Sequence, residues 1–292
     1  AAQGIPAAYD FVYTSSLQIL SGGNPALKEE TSDSLTIGAV ITPRFIPGLS
    51  ISLDYYNIKI DDVITAPSAQ QILDACYDAV DVNNQFCSLF TRAGPNGAPT
   101  GEVAFQILEG SLQQTLLNYA KRKTRGLDVE ASFKRDLEGI GTLSTRFTYT
   151  HVFQSDDFVN PADPGRADQT LFELGDPQNA FNLDAELKRG KLTLGYQLRY
   201  IGKQVLNAYE DFYSVQGRPP QNADFAARKF YPSVFYHDVR LGFDVNKDFN
   251  FYGGVENAFN RKPPLGLTGT GGGSGIFDTR GRFFYAGVKA KF

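Results

Sequence analysis

"AFNLDAELKRGKLTLGYQLRY", Ala180 to Tyr200, alternates almost without a break on both sides of a tight reversal. Before the Arg189-Gly190 turn, Phe181, Leu183, Ala185 and Leu187 share one parity, and Asn182, Asp184, Glu186 and Lys188 the other. Beyond it, Leu192, Leu194, Tyr196, Leu198 and Tyr200 oppose Thr193, Gly195, Gln197 and Arg199. Successive side chains of a strand point to opposite faces, so this stretch reads as a β-hairpin with one apolar and one polar face.

The same pattern recurs in both directions. Upstream, "SLTIGAVIT" sets Leu35, Ile37, Ala39 and Ile41 on one side, and "LSISLDYYNIKIDD" does the same with Ile51, Leu53 and Tyr55. In the latter the pattern slips at Tyr55 and Tyr56, where we expect a bulge. "RGLDVEASFKR" opposes Leu127, Val129, Ala131 and Phe133 to Asp128, Glu130, Ser132 and Lys134, and "TLSTRFTYTHVFQ" follows with Leu143, Phe147, Tyr149 and Phe153. Downstream, "FYHDVRLGFDVNKDFNFYGGVENAF" is a second hairpin turning at Asn246-Lys247-Asp248, and "GRFFYAGVKAKF" closes the chain with Phe284, Ala286, Val288, Ala290 and Phe292 on one face. This amounts to about nine strands.

Connections between these strands alternate strictly in length. The turns "PRFIPG", "DLEGIG", "RG" and "NKD" are short, whereas the segments 63–112, 155–179, 202–233 and 261–280 are long. Charged residues such as Glu130, Arg146, Asp184, Arg199 and Arg240 stand at strand centres on the polar face. A two-sheet sandwich has no rule that separates its connections by length, whereas a transmembrane barrel has short turns at one rim, long loops at the other and a wet, polar interior. Aromatic residues near strand ends, Tyr55, Phe133, Phe153, Tyr200, Phe235, Phe249 and Phe284, suit the two interfacial girdles of such a barrel. The fold expected is therefore all-β, an antiparallel transmembrane β-barrel. A soluble or surface-anchored carbohydrate-binding sandwich and a passive porin or autotransporter-like barrel stand as alternatives.

Composition agrees with strands and turns. The 292 residues include 29 Gly, 23 Phe and 15 Tyr, no Trp and no Met, with 21% charged residues. A formal charge of -4 offers no electrostatic support for a nucleic-acid partner. No apolar run approaches the roughly 20 residues of a spanning helix, a criterion that does not bear on spanning strands. "AAQGIPAAYDF" has no initiator Met, no basic segment and no apolar signal core, so we expect the C-terminal part of something longer.

Five segments, in order, resemble TonB-dependent outer-membrane receptors. "NPALKEETSDSLTIG" at 24–38 is similar to the lead-in to a late barrel strand. "PGLSISLDYYNIKIDDVI", "NYAKRKTRGLDVEASF" and "FYGGVENAFNRKPP" resemble three later segments, and "GRFFYAGVKAKF" their last strand. The resemblance implies a 22-stranded barrel of a Gram-negative outer membrane, plugged by an N-terminal domain, of which this chain would be about the last nine strands. Residues 1–33 would be a surface loop and lead-in, and residues 34–292 the barrel portion. The activity implied is active import of a ferric siderophore, cobalamin, haem or oligosaccharide, with no enzymatic step. Implied partners are the absent plug and N-terminal strands, the TonB energy-transducing complex, the outer-membrane assembly machinery, lipid and lipopolysaccharide. Phe284, Val288 and Phe292 would form the C-terminal assembly signal. Open sheet edges in lipid are costly, so the missing strands are expected on another chain of a nicked receptor or on a separate gene product.

Within that frame, Asp128, Glu130, Arg146, Gln197, Arg199 and Arg240 are candidates for contact with plug or ligand from the inner wall. Cys76 and Cys87, in "CYDAVDVNNQFC", have no accompanying His cluster, so on an extracellular route a disulfide is expected rather than a zinc site, with two free thiols as the plainer alternative. His151 and His237 share no ligand spacing and suit a girdle or rim. "GTGGGSG" at 269–275 lacks the Lys-Ser/Thr of a phosphate loop and reads as surface loop. Asp156, Asp157, Asp163 and Asp168 lack the spacing of a calcium loop and read as a solvated acidic segment, with calcium a lesser alternative. No residues point to a metal or cofactor.

Overall fold

The computed structural model describes residues 5–6, 17–77, 81, 83–205, 230–264 and 275–291. In chain order the elements are β1 (Ile19–Gly22), β2 (Thr31–Ile41), β3 (Leu49–Thr65), α1 (Ala69–Tyr77), a 3₁₀ turn (Cys87–Leu89), β4 (Leu112–Thr115), β5 (Leu117–Leu137), β6 (Gly141–Phe158), β7 (Asp168–Gln169), β8 (Asn179–Arg189), β9 (Leu192–Ile201), β10 (Gln204–Val205), β11 (Phe230–Tyr231), β12 (Val234–Asp244), β13 (Phe249–Glu256) and β14 (Phe283–Ala290). The main sheet runs β2, β3, β5, β6, β8, β9, β12, β13, β14, each strand beside its successor, with β7 paired to β6. These long strands form one sheet, not two facing ones, and β2 and β14 stand at its ends.

Register carries the two-faced pattern from strand to strand. In the antiparallel pairs Ala185 faces Tyr196, Tyr196 faces Val239, Val239 faces Val255 and Val255 faces Phe284, so residues of one parity share one side. That side is apolar: Leu187, Leu194 and Leu241 form one row, and Leu192, Phe243, Phe251 and Val288 another. It has no cover, and Leu194 is 46% exposed. The rings of Phe181 and Tyr200 stack at 4.9 Å and those of Tyr200 and Phe235 lie 4.8 Å apart, making an aromatic band toward the long connections. His151 packs edge-on against Phe153 at 4.7 Å, and His237 takes a 2.7 Å contact from the Tyr196 hydroxyl and packs on Phe259. Both histidines therefore join aromatic bands on the apolar side.

Tyr55 and Tyr56 do not slip. Tyr55 lies 6.5 Å from Phe153 on the apolar side, while the Tyr56 ring covers Gly126 on the polar side, so alternation continues through both. The left-handed residue of β3 is Asp62, with φ 57°. Strands β3, β5 and β6 also run further toward the long connections than apolar alternation foretold: the extensions of β5 and β6 are largely polar on both faces, and that of β3 is Val63-Ile64-Thr65 beyond the acidic pair Asp61-Asp62.

Two compact units divide the chain. One gathers residues 1–33, 59–123 and 156–168, and the other residues 34–58, 124–155 and 169–292. The second holds most of the sheet and a small cluster of Val234, Tyr236 and Phe277. The first holds most of the long segment expected as a loop, which instead folds around its own core of Ile72, Cys76, Phe86, Leu89, Ile107, Leu112 and Leu117. Ser68 begins α1 with a capping box: the Gln71 N–H donates to Ser68 Oγ at 3.2 Å, and the Ser68 N–H donates to Gln71 Oε1 at 2.8 Å. Ile72, Ala75 and Cys76, spaced for one helix face, are buried. Cys76 and Cys87 are disulfide-bonded, joining the end of α1 to the 3₁₀ turn. β1 pairs in parallel with β4, so residues 19–22 lie in a separate two-stranded ribbon.

Candidate functional site: a polar wall and a loop-borne pocket

The six candidates for the inner wall share the polar side of the sheet, and most are already engaged by neighbours. Arg146 donates from Nε and Nη2 to the two carboxylate oxygens of Glu130 at 3.1 and 3.0 Å. Asp128 accepts from Thr150 Oγ1 at 2.6 Å, and Gln197 Nε2 donates to Asp184 Oδ1 at 2.8 Å. Arg146 stands beside Asp184 in register, and Asp184 beside Gln197, so these residues form a continuous polar row. Arg146 and Glu130 are both exposed, so water screens their pairing.

Arg199 and Arg240 differ from the rest. The Arg199 guanidinium lies 4.8 Å over the ring of buried Tyr236, and that of Arg240 lies 5.3 Å over Tyr252. Among the described residues neither makes an ion pair with an acid, so each keeps its charge for another partner. Arg146, Asp184, Gln197 and Arg240 line a groove of about 510 Å³ with Glu186 and Glu256. Asp128, Glu130 and Arg199 lie outside it.

Toward the long connections, Asn257 holds the last of them against the wall. Its N–H donates to Asp238 Oδ1 at 2.6 Å, its Nδ2 donates to the Arg261 carbonyl at 2.9 Å, and the Asp278 N–H donates to the Tyr236 hydroxyl at 3.0 Å. Phe277 is thereby buried against Val234 and Tyr236. Sequence reasoning did not single out Asn257, although an Asn after a strand, preceding a proline-rich turn, is a common local hydrogen-bonding device. Segments 206–229 and 265–274, and with them most of "GTGGGSG", lie outside the described residues. So does Phe292 of the C-terminal signal, whereas Phe284 (68% exposed) and Val288 project from the apolar side of β14.

A pocket of about 690 Å³ belongs to the loop-bearing unit, lined by Gln85, Gln113, Lys28 and Asp62 with Leu20, Leu89 and Leu117. Asn118 closes its floor by accepting from the Lys28 N–H at 2.9 Å and donating to the carbonyls of Lys28 and Asp62. Nearby in the same unit, Arg122 holds Asp157 through two contacts of 2.7 and 2.8 Å. The side-chain amides of Gln85 and Gln113 are among the polar groups that line this pocket.

Comparison with known proteins agrees with this architecture. Residues 2–258 match the family model described as TonB dependent receptor-like, beta-barrel. Curated protein sequences yield no match. Among solved structures, the FrpB iron transporter of Neisseria meningitidis is 15% identical with a TM-score of 0.56, over 94% of this chain and 33% of that one. A mutant of the ferric enterobactin receptor PfeA of Pseudomonas aeruginosa is 19% identical with a TM-score of 0.55, over 92% and 32%. The PfeA complex with BCV-L6 is 20% identical with a TM-score of 0.57, over 93% and 33%. The chain thus spans about a third of the length of the structures it matches, and at such identities the likeness is one of fold. On the family match, which covers most of its length, this chain belongs to the TonB-dependent receptors, outer-membrane proteins of Gram-negative bacteria, as part of their β-barrel.

Proposed function

We propose that the chain forms part of the wall and surface loops of a receptor that imports a ferric chelate by TonB-driven transport. The observation that carries this reading is the family match to a single two-faced sheet with short connections at one end and long ones at the other. The names of the similar structures, an iron transporter and a ferric enterobactin receptor, favour iron among the nutrient classes. In this reading the loop-bearing pocket captures the cargo, and Arg199 and Arg240 offer unpaired positive charge to an anionic chelate or to the plug. The plug and the strands that cover the edges of β2 and β14 come from the rest of the receptor. Those edges require partners, since each unsatisfied backbone group in hydrocarbon costs several kcal/mol.

Iron-limited cells carrying the chain with the remainder of its receptor provide the test. Uptake of radiolabelled ferric siderophore should depend on TonB and on the proton gradient, and the Arg199→Ala, Arg240→Ala double variant should lower it by about tenfold at unchanged membrane levels, as for loss of about 1.4 kcal/mol of binding. Uptake that persists without TonB would indicate a passive pore and overturn the reading.

A further inference from the structure

Tyr236 stands on the polar side of the wall, yet it is the bulkiest fully buried side chain among the described residues. Val234 and Phe277 pack against it, and the Asp278 N–H donates to its hydroxyl at 3.0 Å. The connection that carries Phe277 and Asp278 is fixed in turn by buried Asn257, whose side chain accepts from the Arg261 N–H at 2.6 Å and donates to Asp278 Oδ2 at 3.3 Å. Leu174 and Ile276 pack against the same cluster. Strands β9 and β12 each have a neighbour on both sides, so this packing owes nothing to the open edges of the sheet. Tyr236 is thus a rigid platform.

Arg199 faces Tyr236 directly in register and lays its guanidinium over the ring at 4.8 Å. Arg199 itself is exposed, so a charged group stands in water on a fixed base. The carboxylates of the cluster are turned to the connection instead: Asp238 accepts from the Asn257 N–H, and Asp278 accepts from the Arg280 N–H at 3.0 Å. A long side chain held on a fixed ring has less rotamer freedom to lose when it meets a ligand, which raises affinity without any new contact. Arginine suits this better than lysine, because its planar head can stack and still present N–H groups at its edge. Arg240, four positions beyond Tyr236 on β12 or about 13 Å at the rise of a strand, rests on Tyr252, whose ring lies outside this cluster.

We propose that Tyr236 is a positioning residue for charge selection: by holding the Arg199 guanidinium in one orientation, it makes the receptor favour an anionic ferric chelate over a neutral one. The inference rests on the reading of this chain as part of a ferric-chelate importer and deepens it by naming the class of cargo.

Calorimetry on the purified receptor, this chain together with the remainder of its barrel and plug, provides the test. Two probes are titrated: the ferric complex of a tris-catecholate, which is anionic, and that of a tris-hydroxamate, which is neutral. The readout is the ratio of their dissociation constants, and the unaltered receptor should favour the anionic complex. Arg199→Gln should shift the ratio against that complex by about tenfold, as for loss of one charge-assisted contact. Tyr236→Leu should shift it by about fivefold with Arg199 intact, the factor for leaving one long side chain to be ordered on binding, and should add nothing once Arg199 is replaced. Tyr236→Phe, which keeps the ring, should hold the ratio to within about twofold of the original. Arg199→Lys, an exposed change that spares the buried cluster, should recover only part of the preference, and it decides the matter alone should Tyr236→Leu fail to reach the membrane. Equal loss of affinity for both chelates in Tyr236→Leu, or the full preference in Arg199→Lys, would overturn the positioning role and leave ferric-chelate import standing. So would a ratio indifferent to Arg199→Gln, which would assign that residue to the plug. Binding of neither chelate, with no TonB-dependent iron uptake, would sink the importer reading and this inference together.

Discussion

Gly254 shows how closely single residues shape the wall. It lies beneath the ring of Tyr285, and a Cβ at this position would stand 2.5 Å from the Tyr285 hydroxyl and 2.6 Å from the Val239 carbonyl oxygen. Gly287 lies under Tyr252, and Gly126 under Tyr56, in the same manner. A ring laid over a strand glycine restores packing that the missing side chain would otherwise forfeit. Gly254→Val should therefore destabilise the folded chain by about 1–3 kcal/mol, while Gly22→Ala, with open space around it, should not. Urea midpoints of the two variants in detergent would separate them. Glu102 offers a second residue-scale test. Its carboxylate accepts from Thr100 Oγ1 and from the Glu109 N–H at 3.1 Å, which holds its pKa below the ordinary carboxylate value. A depressed folded-state pKa contributes stability above the unfolded pKa and loses it as pH falls through the folded value. Exchange protection of the Glu109 amide should accordingly be steady near neutrality and collapse on acidification, and Glu102→Gln should flatten that profile.

At the scale of elements, the hairpin of β8 and β9 makes the strongest commitment. Leu194 lies in register between Leu187 and Leu241 on the uncovered apolar side, so Leu194→Arg should cost about 2–4 kcal/mol if that side meets lipid near the midplane. Membrane levels of the variant, compared with those of Thr193→Arg on the polar side, would show it; equal levels would count against a lipid-facing assignment. Element α1 tests the loop-bearing unit. Its core takes in Leu117 at the start of β5, and the Cys76–Cys87 disulfide staples it by about 2–3 kcal/mol of loop entropy. Reduction should expose residues 66–116 to protease while leaving the strands of the sheet intact, and alkylation after reduction should add two adducts. The helix was legible at its start, where Pro67 and Ser68 precede Gln71 in a capping-box pattern, but its nine residues lie within a long polar segment whose other signals are those of a loop. By contrast, the long strands of the sheet were legible wherever one face is apolar. They were cut short at "NYAKRKT" and "QSDDF", because both faces there are polar and a period of two in hydrophobicity vanishes.

For the molecule as a whole, connection length defines direction. Along the antiparallel sheet, successive strands are joined alternately by the short turns 42–48, 138–140, 190–191 and 245–248 and by long connections. An epitope inserted in 159–178 should bind antibody on intact cells, and the same epitope in 245–248 should bind only after the outer membrane is opened. The reverse labelling would contradict the assignment of ends.

Sequence by itself determined the strands, their order, the two faces and the split between short and long connections. These follow from local rules: backbone geometry alternates side chains, and Gly, Pro and Asn punctuate turns at short range. The tertiary structure decided the rest. Residues 19–22 meet 112–115, Asn257 ties a distant loop to Asp238, and Arg146 reaches Glu130 while Arg199 and Arg240 lie over aromatic rings. Such pairings join residues far apart in the chain, and no periodicity encodes which of several polar groups on one face will meet.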